Sequence, residues 1–148
     1  YARRLGIGRA AALNPLALLA SAGVPLAFGS DAPVTSIDPW GTVRAASNHQ
    51  TDGSSISVRA AFAAATRGAW RAGGVRDGVS GTLVPGAPAS YAVWELGAGG
   101  LDVAAPADGV QRWSTDPRSR VPALPRLAPG DPLPRCRETV HRGVVLHG

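Results

Sequence analysis

Lysine is absent from this chain: all 15 basic residues among the 148 are arginine, and with 10 acidic residues the net charge is +5. A basic balance raises nucleic acid as a partner. The arginines, however, are scattered in ones and twos, and aromatics make up only 5% of the residues, too few to interleave with them. No nucleic-acid partner is expected. Methionine is also absent, and the first residue is Tyr1. Initiator removal normally leaves a small residue, so the chain is expected to be part of a longer polypeptide. The single Cys136 excludes an internal disulfide framework and fits a reducing compartment. No apolar run approaches the roughly 20 residues of a membrane span. YARRLGIGR at the N-terminus has no apolar signal-peptide core. A cytoplasmic chain with no membrane partner is the default.

What is present is enough for a core, with 45% hydrophobic residues, 19 glycines and 13 prolines. In NPLALLASAG, Asn14 can cap a short helix, Pro15 suits its first turn and Gly23 suits a left-handed stop. VPLAFG follows, a brief apolar run without alternation, as expected of a strand buried on both faces. Asp38-Pro39 predicts a capped helix running to about His49, and QTDGSS is a loop. Ser57 predicts the cap of a second helix, with Val58, Ala61, Phe62, Ala65 and Ala69 at helical spacing and Gly73-Gly74 at its end. GTLVPGAPASYAVWEL predicts a hairpin or strand pair around Pro85-Gly86. Residues 97–134 are rich in Pro, Gly and Ala and predict a surface excursion. The closing CRETVHRGVVLHG predicts two short strands around Arg142-Gly143. The expected class is therefore α/β plus β, with an α/β piece over 1–74 and a β piece over 75–148 that contains the excursion.

The stretch that bears on function is GVPLAFGSDAPVTSIDPW, in which an apolar run stops at the lone carboxylate of Asp31. By itself such an acid can be a turn former, a helix cap or a metal ligand. With RAAFAAATRGAWRAGG, GTLVPGAPASYAVWE and TVHRGVVLHG following in that order, the chain resembles metal-dependent amidohydrolases, in particular amidohydrolase family 3 of the YtcJ-like type. The resemblance implies the C-terminal fragment of a (β/α)8 TIM-like barrel, its last strand and helices, with part of a small β-sandwich. VPLAFGSD would be the eighth strand and Asp31 would stand at its carboxyl end, where barrel active sites assemble. The resemblance further implies that Asp31 is both metal ligand and catalytic acid–base group for a divalent metal, usually zinc. A bound metal lowers the pKa of water from about 15.7 to roughly 7, and a carboxylate can carry the released proton to the leaving nitrogen. A small-molecule substrate with a carbon–nitrogen bond other than a peptide bond is implied.

The remaining ligands of that family are not in the sequence. There is no His-X-His and no Lys to bridge two metals; the histidines are His49, His141 and His147, each expected to be surface or structural. A catalytic zinc needs three protein ligands, and a barrel needs about 250 residues. The fragment is thus expected to be inactive alone; the alternative is a non-catalytic remnant or binding module. Gly29 and Ser30 are expected to permit a tight backbone approach. Thr35 and Ser36 can line a pocket, Asp38 reads first as a cap, Arg67 as an ion-pair partner and Trp70 as core. Ala65 stands where relatives often carry His, and Ser90 where they often carry an acid. Gly6 to Gly8, GIG, has no preceding strand and reads as no phosphate loop.

Overall fold

Helix ends in this protein are set by its caps and glycines. The computed structural model describes residues 2–97, 99–102 and 123–148. Two short helices, α1 (Ala2–Leu5) and α2 (Ile7–Ala11), are separated by Gly6 at φ 81°. The next, α3 (Leu16–Ser21), lacks the Asn14 cap predicted for it. Asn14 is left-handed, at φ 52°, whereas a capping residue needs extended backbone, so the cap position falls on Pro15, which has no side-chain acceptor. Its other end is as expected. Gly23 is at φ 74° and the Val24 amide donates to the Leu19 carbonyl at 2.9 Å, a Schellman closure. Asp38 caps α4 (Pro39–Ser47), its Oδ1 accepting from the Gly41 amide at 2.8 Å. Ser57 caps α5 (Val58–Ala63), accepting from the Ala60 amide at 3.1 Å. The helix then widens into a π-turn over Ala64–Gly68 and continues as α6 (Ala69–Ala72). Gly74, at φ 89°, closes it as Val75 donates to the Trp70 carbonyl at 3.0 Å.

The strand expected at 24–29 has no hydrogen-bonded strand neighbour among the described residues. A ladder needs a second extended chain, and here the segment crosses the 58–72 helix instead. The Phe28 amide donates to the Ala64 carbonyl at 3.2 Å, at the π-turn. Gly68 permits that crossing, because a Cβ there would lie 2.3 Å from the Leu26 carbonyl oxygen.

Among the described residues, five strands follow: β1 (Tyr91–Glu95), β2 (Leu101–Asp102), β3 (Leu124–Pro125), β4 (Arg135–His141) and β5 (Val144–His147). They form an antiparallel sheet in the order β1-β4-β5 and a separate β2-β3 pair. Tyr91 lies opposite Val140 and Glu95 opposite Arg135, with an irregularity at Val93/Trp94. Arg142 and Gly143, at φ 49° and 82°, make the two-residue β4-β5 turn expected of them, with the positive angles of a hairpin turn. The hairpin expected around Pro85-Gly86 does not form. Positive φ at Gly81 and Gly86 breaks the first run, Ala87 turns back to the Val84 carbonyl at 3.1 Å, and β1 pairs with β4 instead.

The core gathers Trp40, Val43 and Ala46 of α4, Ile56, Ala61 of α5, and Leu124 and Leu127. Trp40 stacks on Phe62 at 5.7 Å and meets Trp94 edge-on at 5.8 Å, geometries that aromatic quadrupoles favour. The middle of the predicted excursion, 103–122, lies outside the described residues. Its far end is not a surface element. Leu124 and Leu127 are buried, and the Leu127 and Asp131 carbonyls accept from Asn48 Nδ2 at 3.1 Å and from Arg44 at 2.9 Å. Spaced leucines within a Pro-rich segment are enough to anchor it. Among the described residues, no helix is long and apolar enough to cross a membrane.

Candidate functional site

Asp31 stands where the 24–30 segment leaves the 58–72 helix. Its backbone is left-handed at φ 54° and its side chain is exposed, with no hydrogen bond among the described residues. Aspartate is among the few non-glycine residues that visit this region readily. The turn around it is braced from within. The Asp31 carbonyl accepts from the Val34 amide at 2.8 Å, Ser30 Oγ accepts from the Ala32 amide at 3.3 Å, and the Thr35 hydroxyl donates to the Ser30 carbonyl. The carboxylate is therefore free to engage a ligand while its backbone is fixed.

Two of its three polar neighbours are engaged elsewhere. Thr35 holds the turn, Asp38 caps α4, and Ser36 is exposed. The tight approach expected at Gly29 is absent, since a Cβ there would meet nothing within 4 Å; the glycine that faces this segment closely is Gly68. Gly6 makes the α1–α2 break and Gly8 lies within α2.

The histidines do not converge on Asp31 as a ligand set. His49 Nδ1 accepts from the Thr51 amide at 3.0 Å, just past α4, while His147 is exposed on β5. His141 stacks on Trp70, rings nearly parallel at 6° with centroids 6.0 Å apart. Trp70 is half-buried rather than core, and Arg67 makes no ion pair among the described residues. Arg67 instead abuts Gly81 through its backbone, where a Cβ would come within 2.8 Å of the Arg67 nitrogen. Ser90 Oγ accepts from the Arg142 amide at 3.0 Å, a packing role in the β piece.

Two features were not foreseen. One is a shallow open groove of ≈ 320 Å³ lined by Ala65, Thr66, Ala69, Trp70, Gly73 and Val75. The sequence signal for it is slight: small residues repeated along one helix face. The other is Asp77, whose carboxyl is held below its ordinary pKa by the Ser80 hydroxyl and then by the Ser80 and Val79 amides. Its spacing to Ser80 was a readable turn signature.

A metal site needs several ligands within reach of one point. Among the described residues, no group of three His, Cys, Asp or Glu side chains could hold an ion. These residues do not fit a metal by themselves. What the arrangement offers is one exposed carboxylate on a braced turn.

Comparison with curated proteins gave no match, and comparison with solved structures gave none. The model of the Amidohydrolase family matches residues 1–147, nearly the whole sequence, and on that match the chain belongs to the Amidohydrolase family.

Proposed function

We propose that this chain is the C-terminal part of a cytoplasmic, metal-dependent, YtcJ-like hydrolase acting on carbon–nitrogen bonds other than peptide bonds in a small-molecule substrate. The observation that carries the reading is the family match over residues 1–147. Asp31 supplies the acid–base carboxylate, taking a proton from the attacking water and returning it to the leaving nitrogen. Its exposure and its unengaged carboxylate support that role. Residues 24–31, VPLAFGSD, are the last barrel strand, a reading supported by the 58–72 helix packed against Leu26 and Phe28. The divalent metal of such an enzyme, zinc in the reading from resemblance, is held chiefly by residues outside this chain. Asp31 is the one ligand this chain would contribute.

Three tests bear on the reading. Amine release from N-acyl substrates is expected to be nil for the purified chain with added zinc; zinc-dependent turnover by the chain alone would overturn its status as a part. The coding sequence upstream of Tyr1 is expected to continue in frame into a His-X-His motif. A stop codon there would instead favour a non-catalytic remnant. In the complete polypeptide, Asp31→Asn is expected to lower kcat by about 10²–10⁴-fold, the range for loss of a general acid–base group.

A further inference from the structure

The same dipeptide, Asp-Gly, occurs twice among the described residues in opposite settings, at Asp52-Gly53 and Asp77-Gly78; a third, Asp108-Gly109, lies outside them. In such a pair the side-chain carboxyl can be attacked by the next backbone nitrogen, and glycine, having no Cβ, crowds the attack least. Asp52 and Gly53 are exposed in the loop between α4 and α5, and the Asp52 carboxylate takes no hydrogen bond among the described residues. Asp77 is also exposed, but its Oδ1 accepts from the Val79 and Ser80 amides at 2.9 and 2.8 Å, and its Oδ2 from the Ser80 hydroxyl at 2.6 Å.

We propose that Asp52 is a site of spontaneous isomerisation to isoaspartate, and that the fold protects Asp77 from the same reaction. The Gly53 nitrogen bonds to the Asp52 Cγ, and the carboxyl hydroxyl leaves with the amide proton as water, giving a cyclic imide. Water then adds to either imide carbonyl. Breaking the side-chain carbon–nitrogen bond restores aspartate; breaking the main-chain one routes the backbone through the side chain. No oxidant or cofactor enters. At Asp77 three donors must be released before the carboxyl can turn, and they favour the ionised form, from which hydroxyl cannot depart.

Conversion has a structural consequence. The rerouted backbone is one carbon longer inside the turn closed by Ser54 donating to the Thr51 carbonyl at 3.1 Å. Ser54 is buried, and its carbonyl accepts from the Ala17 amide at 3.2 Å, tying the loop to α3. Isomerisation thus loosens α3 from the core side of the loop.

The experiment incubates the intact chain at neutral pH, folded and in denaturant, then digests it and locates isoaspartate by electron-transfer fragmentation. In the folded chain isoaspartate is expected to accumulate several-fold faster at Asp52 than at Asp77. In denaturant the gap is expected to close. Asp52→Glu, which would require a larger ring, is expected to abolish the signal at that position. The Ala17 amide is expected to exchange faster in the converted fraction. Equal rates in the folded chain, a gap that persists in denaturant, or no accumulation at Asp52 would overturn the proposal.

Discussion

Asp31 combines an exposed carboxylate with a backbone angle that most L-residues resist. Asparagine shares the tolerance for this region and valine does not. Asp31→Asn is therefore expected to leave the urea midpoint almost unchanged, whereas Asp31→Val is expected to cost about 1–2 kcal/mol of stability. Equal midpoints would show that the turn does not enforce φ 54°. Under the proposed function, the Asn variant also separates the chemistry of Asp31 from folding. Asp77 gives a different test, in pH. Its folded pKa lies below its ordinary value because Ser80 and Val79 hydrogen bonds favour the anion. The contribution to stability is complete above the ordinary carboxylate range and is lost as pH falls through the lower folded value. Asp77→Asn is expected to remove that part of the acid-side decline, read as a flatter stability–pH curve below the carboxylate range. At this scale the sequence was informative for Asp38 and Ser57, because one side-chain oxygen and the next turn's amides decide a cap locally. It misled at Asn14, where the backbone angle settles what the side chain can reach.

Elements were readable where the deciding contact is local. The helices after Asp38 and Ser57 and the hairpin at Arg142-Gly143 are encoded by caps, periodicity and turn residues within a few positions. The 24–30 segment was not: the apolar run predicted burial on both faces, yet Val24, Pro25, Ala27 and Gly29 are exposed and only Leu26, Phe28 and Ser30 are half-buried, because the run does not specify its partner. Nothing local marks that its Phe28 amide will meet the Ala64 carbonyl rather than a neighbouring strand. The π-turn at Ala64–Gly68 has the same origin: it lies where an outside amide reaches a helix carbonyl, and such insertions are a recognised cause of helix irregularity. Gly68 makes the crossing testable. Gly68 has ordinary helical angles, so Gly68→Ala carries no backbone strain, only a collision with the Leu26 carbonyl. Overpacking of this kind is expected to cost about 1–3 kcal/mol. Hydrogen exchange at Phe28 is expected to accelerate as the segment lifts. A stabilised variant with Phe28 still protected would show that the segment does not rest there.

Across the whole molecule, the division read at residue 74 meets a core that draws on both sides of it. Trp40 and Val43 come from the first stretch, and Trp94, Leu124 and Leu127 from the second. That sharing was hidden in the sequence because Leu124 and Leu127 sit in a Pro-rich setting where composition suggested surface. Two isolated leucines carry no periodicity, yet each is only 4% exposed. The candidate site was hidden for another reason: under the proposed function its other ligands come from strand ends elsewhere, and among the described residues no group of three His, Cys, Asp or Glu could hold an ion. Leu127→Ala tests how far the shared core couples the two stretches. Truncating a buried leucine costs about 2–5 kcal/mol, a large fraction of the roughly 5–15 kcal/mol that holds a typical domain together. The Asn48 hydrogen bond goes to the main-chain carbonyl of residue 127, which the substitution leaves in place, so the loss is expected to report packing. If the core is one cooperative unit, tryptophan fluorescence and far-ultraviolet circular dichroism are expected to report a single coincident transition, shifted down as a whole. A variant in which the fluorescence transition moves while the helical signal stays in place would show that the two stretches unfold separately despite their shared side chains.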